Sequence, residues 1–338
     1  MLLNDFTKKI WAKRSLSANE AHAAFDLIFA GQTSPDAIGA FLTALHNKGE
    51  TADEIRGAAE SMRAKAVTIA APPDAIDIVG TGGDGRNTLN ISTAAALVVA
   101  ACGVPVAKHG NRAATSRSGS SDVLAALGIN LEPPFAILEK CLHDANLCFL
   151  FAPRHHPAMR QVADVRRKLG TRTIFNLLGP LTNPANVKRH LIGVYAAKWM
   201  EPMAETLRQL GSTTAWLTHG RDGLDELTTA AASDVVALDR GLIGAFVLKP
   251  QDAGITPLTT PNALTGGDAA HNAGALRRLL DGDKSPYRDI VVLNAGAALV
   301  VAGKAPNLSQ GVGLAATAVD SGAARDILKR IIDITNQV

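Results

Sequence analysis

The chain has 338 residues, of which 47% are hydrophobic and 19% charged, and its formal net charge is +3. This balance is typical of a folded protein with a sizeable core and excludes a disordered chain. The small charge, without a long Lys/Arg run, argues against a nucleic-acid partner, and the longest apolar run falls short of the ~18 residues that a membrane span needs. Three cysteines in apolar surroundings and an N-terminus without a signal-peptide core lead us to expect a cytoplasmic protein.

The first 70 residues predict a helical domain. Capping boxes at Ser17 and Thr51 each begin a helix, and Ser34 begins another, with a proline at its first position. Apolar residues recur at helical spacing behind each start. The pattern breaks at "APPD", residues 71–74, which we interpret as a domain junction.

Residues 74–338 alternate short apolar strands with helices. This order predicts an α/β domain with a mostly parallel central sheet. Two strands between residues 233 and 250 are close enough in sequence to form a hairpin, and a helix is expected from about His156 to Leu169. The stretch from about 170 to 187 fits neither pattern. We interpret it as a crossover that completes the helical domain.

A glycine-rich loop follows the first strand, in "DIVGTGGDGRNTLNIST" (77–93). Its glycines fit the G-x-G-x-x-G pattern of dinucleotide-binding folds, but the helix begins later, and Lys108 stands where that fold needs an acid. A P-loop is excluded because no lysine follows the glycines. What remains is a nest of backbone N–H donors for an anion, and Asp84 inside it favours an accompanying divalent cation. A tight turn that packs helix on strand is the alternative.

Two further loops extend this candidate phosphate site. "KHGNRAATSRSGSS" (108–121) follows the second strand and offers cations, an imidazole and hydroxyl groups, which suit a polyphosphate. "GRDGLDELT" (220–228) places Asp225 beside Glu226 in a loop, where carboxylates and water would hold Mg²⁺. Because ligands of parallel sheets bind beyond the carboxyl ends of the strands, we expect the first two loops to face one crevice. Solvated basic and acidic turns are the alternatives.

Together with "VRRKLGTRTIFNLLGPLTNP" (165–184), these segments resemble the anthranilate phosphoribosyltransferase family over nearly the whole chain. The resemblance implies a small helical domain hinged to a large α/β domain, and a homodimer formed through the helical domain. It implies transfer of the phosphoribosyl group of 5-phosphoribosyl-1-pyrophosphate (PRPP) to the amine of anthranilate, the second step of tryptophan biosynthesis from chorismate. Mg²⁺, as two ions, would be the cofactor.

The resemblance also implies the site residues. The PRPP ligands would be Gly80, Gly83, Asp84, Thr88, Asn90, Ile91, Ser92, Thr93, Lys108, His109, Gly110, Asn111, Arg112, Ala113, Ala114, Thr115, Ser116 and Ser120. The magnesium ligands would be Ser92, Asp225 and Glu226, and the anthranilate contacts would be Gly80, Asn111 and Arg166.

Three of these residues are expected to act in catalysis. Lys108 would neutralise the leaving pyrophosphate, and Arg166 would orient the carboxylate of anthranilate. His109, or water in its place, would take the proton that the amine loses. Asp164 departs from the family pattern, and we expect it to pair with Arg166 and weaken the hold on anthranilate.

Two other functions remain open at the level of sequence. A pyrimidine-nucleoside phosphorylase has this architecture but uses phosphate and a nucleoside, and "KHGNR" and the acidic pair argue against it. A non-catalytic paralogue that binds nucleic acid would lose the acidic pair and gain a basic groove. This chain keeps Asp225 and Glu226 and has a net charge of only +3.

Overall fold

The computed structural model describes residues 2–112, 118–260 and 262–337. The chain begins with four helices, α1 (Leu3–Trp11), α2 (Ala18–Phe29), α3 (Pro35–Lys48) and α4 (Ala52–Ala64). Three predicted helix starts are confirmed. The side chains of Ser17, Ser34 and Thr51 each accept a hydrogen bond from a backbone N–H in the first turn of α2, α3 and α4.

A seven-stranded sheet forms the centre of the remaining chain. Its strands are β1 (Ile76–Gly80), β2 (Val106–Gly110), β3 (Leu147–Phe151), β4 (Arg189–Gly193), β5 (Thr214–Gly220), β6 (Ser233–Asp239) and β7 (Leu242–Leu248). Their spatial order is β3-β2-β1-β4-β5-β6-β7. Strands β1 to β5 pair in parallel, whereas β6 runs antiparallel to both neighbours. The predicted mostly parallel sheet and its hairpin, β6–β7, are confirmed.

Helices cover both faces of this sheet. They are α5 (Ile91–Ala101), α6 (Ser120–Leu127), α7 (Phe135–Ala145), α8 (Ala152–His155), α9 (Arg160–Leu169), α10 (Phe175–Leu178), α11 (Met200–Gln209), α12 (Ala269–Leu280), α13 (Pro286–Val301), α14 (Leu308–Asp320) and α15 (Ala323–Thr335). Short 3₁₀ turns lie at Pro157–Met159, Gly179–Leu181, Ala197–Trp199 and Pro250–Ala253. Within the described ranges, none of the helices combines the length and apolarity needed to cross a membrane.

Two hydrophobic clusters fill the two sides of the sheet. One contains Ile76 and Ile78 of β1 with residues of α5, α13 and α15. The other joins Val79, from the opposite face of β1, to the N-terminal helices. Phe175 of α10 belongs to this second cluster, with its ring centroid 5.7 Å from that of Phe25. The segment that we interpreted as a crossover thus packs on the helical bundle, while the domain boundaries themselves stay a prediction.

The helix expected from about His156 to Leu169 is wrong at its start. α8 ends at His155, a 3₁₀ turn follows, and α9 begins only at Arg160. His156 has φ −121° and ψ 66°, outside the helical region. The reason is Pro157, because the proline ring disfavours helical geometry in the residue before it.

Candidate active site

The predicted loops meet at the carboxyl ends of the central strands. The glycine loop (residues 81–90) follows β1, and the basic loop (residues 108–112) ends the adjacent strand β2. The acidic loop (residues 221–228) follows β5, which is separated from β1 by β4 alone. The chain leaves β1 toward β2 but returns from β3 to β4, on the other side of β1. Such a reversal of strand order is where open α/β sheets bind ligands.

Distant parts of the chain hold the glycine loop in shape. Gly82, Gly83 and Gly85 have φ of +67°, +78° and +77°, a conformation that glycine adopts without strain. The Gly82 N–H donates to Asp225 Oδ2 at 2.8 Å, and Arg172 donates to the Gly83 carbonyl. The loop conformation is therefore fixed by the acidic loop on one side and by the crossover segment on the other.

The start of α5 offers backbone donors beside this loop. Asn90 occupies the N-cap position, but its side chain makes no capping bond. Instead its Oδ1 accepts from Asn272 Nδ2 at 2.9 Å, and its carbonyl accepts from the Tyr287 hydroxyl at 3.0 Å. Thr88, in the same loop, forms an antiparallel bridge with Thr265. The uncapped N–H groups at the helix start, in Ile91 to Thr93, suit an anion.

Little positive charge surrounds Asp225 and Glu226, the two acids of the acidic loop. Asp225 lies against Gly80, where an added Cβ would come within 2.8 Å of Asp225 Oδ2. Burial, and next the negative charges of Asp84 and Glu226, raise the pKa of Asp225 well above its ordinary value. Burial raises the pKa of Glu226 to about 7, although Lys108 opposes the shift. The carboxyl groups of Asp84, Asp225 and Glu226 thus lie close together, and Lys108 compensates only at Glu226, an excess of negative charge that a divalent cation would relieve.

Lys108 lies beneath the acidic pair, with 3% of its surface exposed. Its Nζ donates to the Ile78 carbonyl at 2.5 Å and to Ser92 Oγ at 3.2 Å. The backbone and hydroxyl of Ser92 also oppose the rise in the pKa of Glu226. Burial lowers the pKa of Lys108, and the charges of Asp77 and Glu226 oppose that shift. The structure therefore brings together three of the predicted residues, Lys108, Ser92 and Glu226.

The predicted magnesium ligands suit a hard cation in their chemistry. In the described part of the chain, no group of three His, Cys, Asp or Glu side chains is arranged as a metal centre. Mg²⁺ is usually held by one or two carboxylates, with waters and substrate phosphates as its other ligands. Two acids and a serine hydroxyl next to an anion nest fit that mode, and this ligand set stays a prediction.

The imidazole of His109 lies on the other side of β2, toward the crossover. Its Nδ1 is 3.1 Å from the Gly179 carbonyl, which can only accept, so the proton is on Nδ1 and Nε2 carries the lone pair. Nε2 is buried, without a hydrogen-bond partner among the described residues. Burial, and next the ring of His156 at 5.1 Å between centroids, lower the pKa of His109 well below its ordinary value. His109 is therefore neutral at pH 7.

The end of the basic loop packs against the start of α6. An added Cβ at Gly110 would come within 2.5 Å of Ser120 Oγ, and that hydroxyl donates to the Asn111 carbonyl at 3.2 Å. The guanidinium carbon of Arg112 lies 5.7 Å from the centroid of the Phe151 ring. The predicted ligands Ala113, Ala114, Thr115 and Ser116 lie outside the described residues.

Arg166 lies on α9, which packs on α2 and α3. Its guanidinium carbon is 5.4 Å from the centroid of the Phe175 ring, and burial lowers its pKa. The expected pairing of Asp164 with Arg166 is wrong. Asp164 Oδ1 instead lies 2.7 Å from Arg167 Nη2, and both of these side chains are exposed. Residues two apart on a helix point in different directions, whereas residues three apart are neighbours.

Sequence reasoning missed three residues that shape the site. Gly193, at the end of β4, is needed because an added Cβ would fall on the Asp225 carbonyl oxygen. Asn294 of α13 is fully buried, accepts from the Leu227 N–H at 3.1 Å and donates to the Leu227 carbonyl at 2.9 Å. The third is His156, which packs on His109. The only signal for Asn294 was a single amide in the apolar run "IVVLNAGAALVV".

Comparison with known proteins decides the family. Residues 4–66 match the helical bundle domain of a glycosyl transferase family, and residues 72–325 match its a/b domain. The anthranilate phosphoribosyltransferase of Methylocella silvestris is 55% identical over 97% of this chain and 94% of its own length. This chain belongs to the anthranilate phosphoribosyltransferase family.

Solved structures of anthranilate phosphoribosyltransferases are similar over the whole chain. The Thermus thermophilus protein has a TM-score of 0.91 and 44% identity, covering 97% of this chain and 98% of that one. The Saccharomyces cerevisiae protein in complex with PRPP and Mg has a TM-score of 0.91 and 28% identity, covering 99% and 98%. The anthranilate phosphoribosyltransferase fold is therefore shared from the helical bundle to the last helices of the α/β domain.

Proposed function

We propose that this chain transfers the phosphoribosyl group of PRPP to the amine of anthranilate. The products are N-(5-phosphoribosyl)anthranilate and pyrophosphate, in the second step of tryptophan biosynthesis. The observation that carries the proposal is the grouping of Asp84, Asp225 and Glu226 beside Lys108, at the glycine loop and the start of α5. Backbone donors next to excess carboxylates suit an anion and a divalent cation together, as in a magnesium-bound polyphosphate.

Binding of the leaving pyrophosphate is the first task of these residues. We place it along the glycine loop and the start of α5, with Ser92, Asp225 and Glu226 as ligands of two Mg²⁺ ions. When held by these residues, magnesium would supply positive charge to neutralise the charge that develops on the pyrophosphate in the transition state. Lys108 adds a positive charge close to Glu226. Because this side chain is buried, solvent screens its charge only weakly.

Anthranilate needs positioning more than activation. Its amine is neutral at pH 7 and can attack C1 of the ribose directly if it is held close to that carbon. We place the anthranilate carboxylate at Arg166 and the ring near Asn111 and Gly80. His109 Nε2, or water in its place, accepts the proton after the attack, since Nδ1 is already engaged by the Gly179 carbonyl. The aryl ammonium that forms is a strong acid, so a base with a low pKa suffices.

We further propose a cytoplasmic homodimer joined through the helical domain. The helical domain comprises residues 1–70, completed by about 170–187, and the α/β domain comprises 74–338. Support for the interface comes from the family resemblance and from Trp11, at the end of α1, which is 56% exposed. Exposed aromatic residues are enriched at surfaces that a partner covers.

A panel of substrates tests the proposed reaction. Purified protein with PRPP, anthranilate and Mg²⁺ is expected to release pyrophosphate in a 1:1 ratio to anthranilate consumed. Thymidine with inorganic phosphate should give no free base, and a gel-shift assay at low salt should show no DNA or RNA complex. Phosphorolysis of thymidine would support the nucleoside phosphorylase, and a salt-sensitive gel shift without catalysis would support the nucleic-acid-binding paralogue.

A further inference from the structure

Strands β1 and β2 separate before they reach the two phosphate loops. β1 pairs with β4 at five positions and β2 with β3 at five, but β1 and β2 pair only at Ile76 and Val106. Continuation of a parallel ladder in that register would join the Ile78 N–H to the Ala107 carbonyl. It would also join the His109 N–H to the Ile78 carbonyl. These four buried backbone groups need other partners.

Three polar side chains supply partners for three of these four groups. Asp77 Oδ1 accepts from the His109 N–H at 3.1 Å. Asn183 Nδ2 donates to the Ala107 carbonyl at 2.8 Å. Lys108 Nζ donates to the Ile78 carbonyl. We call Asp77, Lys108 and Asn183 the polar rung, because together they replace one rung of the ladder.

The polar rung also ties the basic loop to the crossover segment. Asn183 Nδ2 lies 2.7 Å from Asp77 Oδ2, and Asn183 Oδ1 accepts from the Ala185 N–H at 2.8 Å. Asp77 is fully buried, and Asn183 and Lys108 are 1% and 3% exposed. The Asn183 Nδ2 group therefore donates twice and Oδ1 accepts once, which fixes the orientation of the amide.

We propose that Asp77 and Asn183 are positioning residues that hold the basic loop at a set distance from the glycine loop, so that both contact the same PRPP molecule. This inference rests on the proposed function. The carboxylate of Asp77 acts through the His109 backbone, and Asn183 fixes the carboxylate. Neither side chain touches the substrate.

Isosteric exchange of the two residues tests the proposal. In Asp77→Asn, an amide NH₂ replaces Oδ2 and faces Asn183 Nδ2, so two donors oppose each other. We expect the KM for PRPP to rise about tenfold or more, with hydrogen exchange accelerating selectively in the peptide that contains residues 106–112. In the double variant Asp77→Asn/Asn183→Asp, an amide again meets a carboxylate, although the Ala107 carbonyl loses its donor, so the KM for PRPP should fall below that of Asn183→Asp. Asn183→Asp alone opposes two buried carboxylates and should be worse than the double variant.

A matched control separates positioning from general destabilisation. Ser212→Ala removes a buried hydrogen bond to His190 Nε2 outside the site, so it should lower the melting temperature and leave the KM for PRPP unchanged. The proposal is overturned if Asp77→Asn melts lower but keeps the wild-type KM and the wild-type exchange in residues 106–112. It is also overturned if the double variant has a KM for PRPP no lower than that of Asn183→Asp.

The wild-type protein provides a test that needs no variant. Its His109 amide has no ladder partner, and the polar rung predicts that this amide is protected from exchange as strongly as the amides of β3. A freely exchanging His109 amide would contradict the proposal even if Asp77→Asn does not fold. The exchange measurement also stands if wild-type protein proves inactive with PRPP, so the two failures are distinguishable.

Discussion

Single residues of the site are governed by burial of carboxyl groups with too little positive charge around them. Burial is the main cause that raises the pKa of Glu226 to about 7. It is also the main cause that raises the pKa of Asp225 well above its ordinary value. The positive charge of Lys108 opposes the rise in the pKa of Glu226. A carboxyl group with a raised pKa keeps its proton to a higher pH. Mg²⁺ binds only the deprotonated carboxylate, so it competes with that proton.

Magnesium binding is therefore expected to be linked to proton release. Below about pH 6 Glu226 is protonated and binding should be weak, and it should tighten as pH rises through the pKa of Glu226, about 7. Titration calorimetry with PRPP present, in two buffers of different ionisation enthalpy, measures the protons released. An affinity for Mg²⁺ that stays constant from about pH 6 to about pH 8 would contradict this account.

At the scale of elements, α13 holds the acidic loop in place, and Leu224 and Leu227 of that loop lie in the same hydrophobic cluster as α13. Asn294 satisfies both the N–H and the carbonyl of Leu227, the residue that follows Glu226. It also donates to the Ile290 carbonyl of its own helix, so the amide is fixed at both ends. An element remote in sequence thus sets the position of a predicted metal ligand.

Replacement of Asn294 by leucine should affect both stability and metal use. Two buried backbone groups lose their partners at ~1–3 kcal/mol each, so we expect a loss of about 2–6 kcal/mol in the free energy of unfolding. Because Leu227 adjoins Glu226, half-maximal activity should need several times more Mg²⁺. Urea unfolding and a Mg²⁺ titration of activity measure the two effects.

Asn130→Leu is the matched control for this prediction. The Asn130 amide bonds the Thr335 carbonyl and the Glu132 N–H, in a part of the chain that does not contact the acidic loop. It should cost stability without changing the Mg²⁺ requirement. Equal Mg²⁺ requirements for Asn294→Leu and wild type would show that α13 does not position the acidic loop.

Signals within a few residues of each other made several elements predictable. The caps at Ser17, Ser34 and Thr51 and the hairpin β6–β7 are examples of such local signals. The start of α9 was missed because the effect of Pro157 on His156 was given too little weight. The pairing of Asp164 was missed because positions on the helix, rather than closeness in sequence, decide which arginine it meets.

On the scale of the whole molecule, the site depends on contacts that no local pattern announces. Asn294 is 67 positions from Leu227, and Asn183 is 106 positions from Asp77. The motifs and the family resemblance were enough to name the glycine loop, Lys108 and the acidic pair. The residues that hold these loops in place appear only once the chain is folded, because each bonds to backbone groups brought close by the sheet.

The N-terminal helices pack directly on one face of the central sheet. Val79 and Ile192, from β1 and β4, lie in the same hydrophobic cluster as the N-terminal helices. The glycine loop leaves the end of β1. The basic and acidic loops leave the ends of β2 and β5, which are neighbours of β1 and β4. The helical bundle, which we propose to form the dimer, is therefore packed directly against the strands that position the site.

The most direct test of the central claim follows the loss of anthranilate fluorescence with PRPP and Mg²⁺. Wild type is compared with Asp225→Asn/Glu226→Gln and with Asp239→Asn, an exposed acid at the end of β6. We predict a decay that needs both PRPP and Mg²⁺, slows by about 100-fold or more in the double variant and is unchanged in Asp239→Asn. No decay with folded wild-type protein would contradict the proposed reaction, and a wild-type rate in the double variant would contradict the metal site.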